Sequence, residues 1–338
     1  MGFDRRSWLV LVLVLATFAS DASAARQRLT TGPDGFVLAG QSNMVGASTQ
    51  YEDETTGRVT SPAPNGLESF VFRARADNVW TLANEFPCAD SQCFGSACAY
   101  PPNRTVAVHP QSTDTGSGTC VCTCGVHLRS DVGDAGRGSP WPTFAELWMQ
   151  RGRQAMFVST ALGGQCLVAA TSPPQPTWDP DAIDCAEVAP LAIGQAAPEP
   201  TRPGELFCRM IQAVQTSNVA TLRAVLWSQG ECEATAGIDY ATYKAALERF
   251  ADAVWDRLGV PVIAAPISRH SRIDECDQNP NLVTISQATM DAAQDHPHIM
   301  LGPRSDNLEL ESDCAHIHDV RTLGQRWYQA VMAAGVAP

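Results

Sequence analysis

From residue 36 onward, short apolar, β-prone runs alternate with stretches of helical periodicity, and this alternation restricts the fold more than any other feature. Residues 36–39, 155–162, 222–227, 261–266 and 298–301 read as strands. Residues 143–151, 206–216, 240–258, 284–294 and 319–334 read as helices. Within 240–258, Ala241, Tyr243-Lys244, Leu247 and Phe250-Ala251 show the recurrence that buries one helical face. Strands alternating with helices predict an α/β protein: a parallel sheet with helices on both faces. In such sheets ligands sit beyond the C-terminal ends of the strands. Gly40-Gln41-Ser42-Asn43, Gly163-Gly164 and Ser228-Gln229-Gly230-Glu231 all fall at such ends, which marks a site before any chemistry is considered.

The rest of the composition narrows the function classes. With 338 residues, 44% apolar and only 17% charged, the chain is globular rather than disordered. Net charge is −13, and Lys244 is the sole lysine. No basic stripe exists, so a nucleic-acid partner is not expected. Arg5-Arg6, an apolar run over 8–19 and Ala22-Ser23-Ala24 read as a signal peptide over 1–24, leaving a single mature domain over 25–338. That apolar run is shorter than the roughly 20 residues a membrane span needs, and no later segment qualifies. Twelve cysteines, an even number, fit disulfides formed on export, and Asn103-Arg104-Thr105 is a glycosylation sequon. Six of the cysteines lie in a Gly/Ser/Pro/Thr-rich insertion over 88–124, and a Pro- and Ala-rich insertion covers 173–203. Both are too long for ordinary connections and read as surface excursions or disulfide-pinned flaps. For Cys120-Val-Cys-Thr-Cys124, export favours disulfides over metal.

Two motifs carry the chemistry. Ser42 follows the first strand directly, where a strand-to-helix turn can lift a hydroxyl above the sheet and point its N–H at a developing oxyanion. The same serine can also be a plain helix N-cap, and the motif alone leaves both readings standing. Asp313-Cys314-Ala315-His316 lies just before the last helix. A carboxylate three residues ahead of a histidine can accept its Nδ1–H and leave Nε2 facing a serine. His318 is a rival base. His316-Ile317-His318 is alternatively half a metal site, though no H-E-x-x-H companion occurs. G-x-S-x-G, the P-loop and G-x-G-x-x-G are all absent, so neither cofactor nor metal is expected.

Gly40-Gln41-Ser42-Asn43-Met44, Gly163-Gly164, Trp227-Ser-Gln-Gly-Glu231 and Asp313-x-x-His316 occur in the order of the SGNH hydrolase blocks. Asp77-Asn-Val-Trp-Thr-Leu-Ala83 and residues 138–147 further resemble the sialate O-acetylesterase-like branch, which includes carbohydrate acetylesterases. The similarity runs over residues 34 to 335. It implies a three-layer flavodoxin-like fold and hydrolysis of short acyl esters on an acetylated carbohydrate. Carried over by position, Ser42 is the nucleophile, His316 the general base and Asp313 its orienter. The oxyanion donors implied are the N–H of Ser42, the N–H of Gly163 or Gly164, and a side-chain amide, Gln229 first and Asn43 second. Glu231 is implied as a structural partner or a second acid assisting His316. The chain departs from the branch at Glu231-Cys232-Glu233-Ala234, where Gln-Gly-Glu-Ser-Asp is usual, at Gln165-Cys166 and at Cys314. Cysteines beside three site blocks suggest disulfides bracing the loops, although their pairing cannot be read from sequence. Two other classes stay open: a non-catalytic carbohydrate-binding or cell-surface protein on this fold, and an SGNH esterase acting on lipid esters.

Overall fold

The structure, a computed structural model, describes residues 34–45, 70–73, 80–82, 140–153, 155–168, 175–191, 199–217, 219, 221–268, 279–308, 310, 316–317 and 319–336. The signal-peptide reading, the sequon and the Cys-rich insertion at 88–124 lie outside these residues.

The described elements are β1 (Asp34–Gly40), α1 (Ser42–Val45), β2 (Phe70–Arg73), β3 (Trp80–Leu82), α2 (Trp141–Met149), β4 (Ala155–Ser159), α3 (Glu205–Ser217), β5 (Thr221–Ser228), α4 (Glu231–Ala236), α5 (Tyr240–Leu258), β6 (Val262–Ala265), α6 (Pro280–Asp295), β7 (Ile299–Leu301) and α7 (Val320–Ala333). They build a seven-stranded sheet in the order β3-β2-β4-β1-β5-β6-β7. Every neighbouring pair is parallel except β2 and β3. β1 therefore sits between β4 on one side and β5 on the other, where the chain's course across the sheet changes direction.

Side chains alternate across the sheet and divide the core into two layers. Val37, Ala39, Val158, Val225, Trp227, Val262 and Ala264 pack with α3, α5 and α6. Phe36, Leu38, Phe157, Ala224, Leu226 and Ile263 pack with α2 and α7 on the other face. The central strands thus present apolar residues to both sides, as a covered parallel sheet requires. In the second layer Phe36 meets the rings of Phe144 and Trp148 edge-on, both with centroids 5.1 Å away. This is the three-layer, flavodoxin-like α/β fold expected from the sequence, and all five strands and five helices read there are present. Among the described residues no helix is long and apolar enough to cross a membrane.

At the N-terminal end of β1, Asp34 is fully buried. Its carboxylate is met by Arg153 at 2.5 Å, Arg223 at 2.6 Å and the Trp148 indole N–H at 3.0 Å. A buried carboxylate is tolerable only when so partnered, and stripping its partners costs on the order of 3–5 kcal/mol. This cluster secures the end of the sheet opposite the site.

The insertion over 173–203 differs from a surface excursion in its described parts. Trp178 is fully buried, its ring 5.4 Å edge-on from that of Trp227, and its backbone N–H donates to Cys166 O at 3.2 Å. Cys185 pairs with Cys208 on α3, so the segment is pinned by a disulfide and also completes the core. A fully buried large side chain contributes roughly 2–3 kcal/mol, which outweighs the loop-like composition around Trp178.

Candidate active site

Sheet register alone brings three of the sequence blocks together. Leu38 pairs with Ser159 of β4, and Gly40 pairs with Ser228 of β5. Beyond the ladder, Leu162 N–H donates to Gly40 O at 3.0 Å and Gln41 N–H donates to Ser228 O at 3.0 Å. Ser42, Gly163 and Gln229 therefore follow three adjacent strand ends on one rim. Gly40 turns here at φ +112°, and a Cβ on it would lie 2.1 Å from Ser228 O. Only glycine lets β1 leave the sheet this close to β5. Gly163 stands next to the serine: a Cβ at that glycine would be 3.8 Å from Ser42 Cβ. Below the turn, Met44 is buried in the second core layer and its carbonyl accepts the Trp141 indole N–H at 2.9 Å. The start of α2 thereby fixes α1, the short helix that carries Ser42.

The fourth block arrives from the far end of the chain. Ile317 N–H donates to Asn43 Oδ1 at 3.1 Å, across 274 positions of sequence. His316, the residue before Ile317, is thus held beside the residue after Ser42. Leu310 and Ile317 form an antiparallel bridge, and Asp319 caps α7 by accepting the Thr322 N–H at 2.9 Å. Asp313 and His318 lie outside the described residues.

Asn43 uses its other end on β5's loop: Nδ2 donates to Glu231 Oε1 at 3.2 Å. Glu231 is partly exposed as a residue, yet Oε2 is sealed from solvent with no hydrogen-bond partner among the described residues. Burial pushes the Glu231 carboxyl up to about 7, helped by the nearby charge of Glu233 and opposed by the Asn43 bond. Cys232, next in line, forms a disulfide with Cys166, Cα atoms 5.1 Å apart. Glu233 is fully buried. Its Oε1 accepts Leu167 N–H at 2.5 Å and Val168 N–H at 3.1 Å, and its Oε2 accepts from Gln229 Nε2. Burial also raises the Glu233 carboxyl above the usual range, against these three donors. Tyr243 closes the cluster, donating to Gln229 O at 2.8 Å, and burial keeps its phenol protonated.

Gln229 is completely buried, and both its amide hydrogens are engaged, on Glu233 and on Gln165 O at 3.2 Å. It ties the Gly163 loop to β5. Asn43 spans Glu231 and Ile317. Gly164, at φ +71°, completes the turn after β4. The described part of the rim thus gathers a partly exposed serine, a glycine turn beside it and the backbone next to His316. Acyl transfer requires a nucleophile, backbone N–H groups and a base approaching one point. Trp141, Trp148, Trp178 and Trp227 are all buried, so none offers a sugar platform. Glu233 was not singled out from sequence; two acids flanking a cysteine directly after a site block were its only signal.

Three solved structures share this fold. A protein from Arabidopsis thaliana is similar with a TM-score of 0.54 at 17% identity, covering 90% of this chain and 99% of that one. A carbohydrate acetylesterase from Xanthomonas citri is similar at 0.52 and 15% identity, over 90% of this chain and 56% of that chain. NanS is similar at 0.51 and 12% identity, over 90% and 99%. At such identities the likeness is one of fold. No curated protein matches the sequence significantly. The sequence profile of one family, described as carbohydrate esterase, sialic acid-specific acetylesterase, matches residues 33–333, from the start of β1 to the end of α7. Because that match takes in every strand of the sheet and the whole rim, the chain belongs to the carbohydrate esterase family of sialic acid-specific acetylesterases.

Proposed function

We propose that this chain is a secreted serine esterase that removes O-acetyl groups from carbohydrates through an acyl-enzyme. The observation that carries the reading is the meeting of Ser42, Gly163 and the His316-Ile317 backbone at one rim, in a chain of carbohydrate-esterase family. Ser42 Oγ attacks the acetyl carbonyl while His316 takes its proton and Asp313 orients the imidazole. The N–H groups of Ser42 and Gly163 hold the oxyanion, each worth on the order of 3 kcal/mol. Gln229, with both amide hydrogens engaged, acts by holding the Gly163 loop, and Asn43 by holding Ile317. As the tetrahedral intermediate collapses, the bond to the sugar oxygen breaks and His316 returns the proton to it. Water then attacks the acetyl-Ser42 ester by the same route and releases acetate. Residues 1–24 are removed on export, Asn103 is glycosylated, and the mature domain works with disulfides formed.

Hydrolysis of p-nitrophenyl acetate by the full chain, abolished by Ser42→Ala with the fold intact, supports the proposal; an unchanged rate refutes it. His316→Ala and His318→Ala in the same assay decide the base. Acetate release compared on acetylated sialic acid, acetylated xylan and acetylated chitosaccharides identifies the sugar.

A further inference from the structure

Three consecutive side chains after β5 grip the rim, two of them on one loop and the third on another segment. Cys232 holds the loop after β4 covalently, and Glu233 holds the same loop through Leu167, Val168 and Gln229. Among the described residues Glu231 is the one of the three that reaches the segments carrying Ser42 and His316, and it does so through Asn43. The Asn43 amide is directional: with Nδ2 turned to Glu231, Oδ1 is presented to the Ile317 N–H. The acceptor at position 231 thus holds the amide in the orientation that serves Ile317. Glu231 Oε2 is sealed and has no partner among the described residues, so this carboxyl is kept at a desolvation penalty that core packing alone would not explain.

We propose that Glu231 is a positioning residue: by holding Asn43 it fixes the Ile317 amide and so sets His316 against the Ser42 turn. This rests on the esterase reading for its catalytic consequence, but not for the bracket itself. Glu231 touches neither nucleophile nor base; it acts in series through Asn43. Glu231 and Asn43 should therefore behave as one unit rather than two.

The test uses the full oxidised chain and two readouts, p-nitrophenyl acetate turnover and hydrogen exchange at the Ile317 amide. Glu231→Ala should lower kcat roughly tenfold with KM unchanged, and speed Ile317 exchange by a similar factor, the worth of one hydrogen bond of this kind. Glu231→Gln, which keeps an acceptor oxygen for Asn43, should restore both. Asn43→Asp, which loses the donor to Glu231 but keeps the acceptor for Ile317, should match Glu231→Ala in exchange. The double variant Glu231→Ala/Asn43→Ala should be no worse than Asn43→Ala alone. Parental Ile317 exchange in Glu231→Ala, or losses that multiply in the double variant, overturns the proposal. A chain without any esterase activity would end the functional reading, while the exchange measurement still decides the bracket.

Discussion

The buried carboxyl of Glu231 makes the stability of this protein depend on pH in a calculable way. In the folded chain burial raises its pKa to about 7, against 4.5 for a free glutamate. Below about pH 4.5 both states hold the proton and Glu231 contributes no pH dependence. Between the two values the folded state holds a proton that the unfolded state has released, so stability falls as pH rises. Above about 7 the folded state must keep the charge in place, and the loss is complete. The full gap corresponds to roughly 3 kcal/mol, most of which falls between pH 5 and pH 8. Glu231→Gln keeps the shape and the acceptor for Asn43 but cannot ionise. Urea unfolding of both proteins at pH 5 and pH 8, with equal m-values, reads this group together with its coupling to Glu233, because the other titrations are shared. The parent should lose about 2–3 kcal/mol more than Glu231→Gln on going from pH 5 to pH 8. Parallel stability profiles would refute the reasoning, showing that Glu231 is solvated and that its orphaned oxygen is no orphan.

Two further predictions concern the frame of the rim. Gly40→Ala would put a Cβ 2.1 Å from Ser228 O at a φ of +112°, so unfolding free energy should drop by roughly 2–6 kcal/mol from strain and overpacking together; a change within about 0.5 kcal/mol in urea unfolding would contradict the placement of that turn. Replacing Cys166 and Cys232 together with serine opens a cross-link spanning 66 positions, for which chain entropy gives about 4 kcal/mol; a urea midpoint equal to the parent's would show that this bridge does not brace the loops.

How much of the fold was legible follows from how its elements announce themselves. Strands such as 221–228 and helices such as 240–258 are long enough for a buried run or a 3.6-residue period to stand out, and their ends lie within a few residues of the sequence reading. The strand read over 155–162 stops at Ser159 because the chain then leaves the regular ladder, although Thr160 and Leu162 still donate to Leu38 O and Gly40 O. Phe70–Arg73, Trp80–Leu82 and Glu231–Ala236 were not predicted as elements. Each is six residues or fewer, too short for any period to register. Trp178 was legible as a tryptophan in a Pro-rich insertion but not as core, because the partners that bury it, Trp227 and Phe250, lie far along the chain.

The candidate site divides along a similar line, between what register dictates and what long-range contact decides. Ser42, Gly163 and Gln229 could be placed from sequence because each follows a strand, and parallel strands deliver their C-terminal ends to one rim. The roles of the amides could not. The sequence puts Gln229 ahead of Asn43 as the amide near Ser42, and what separates them in the fold is the set of partners each reaches. Gln229 meets Glu233 only four positions away, but its second hydrogen goes to Gln165, 64 positions away. Asn43 meets Glu231 across 188 positions and Ile317 across 274. The departures from the family pattern include Cys166, Cys232 and Glu233, and the cysteines beside the site blocks suggested bracing disulfides. In the folded chain they form a disulfide and a buried carboxylate that grip one loop, leaving Glu231 to reach the other two segments. Cys232 and Glu233 are thus committed to the loop after β4, and Glu231 is left to bridge, through Asn43, to the segments that carry Ser42 and His316.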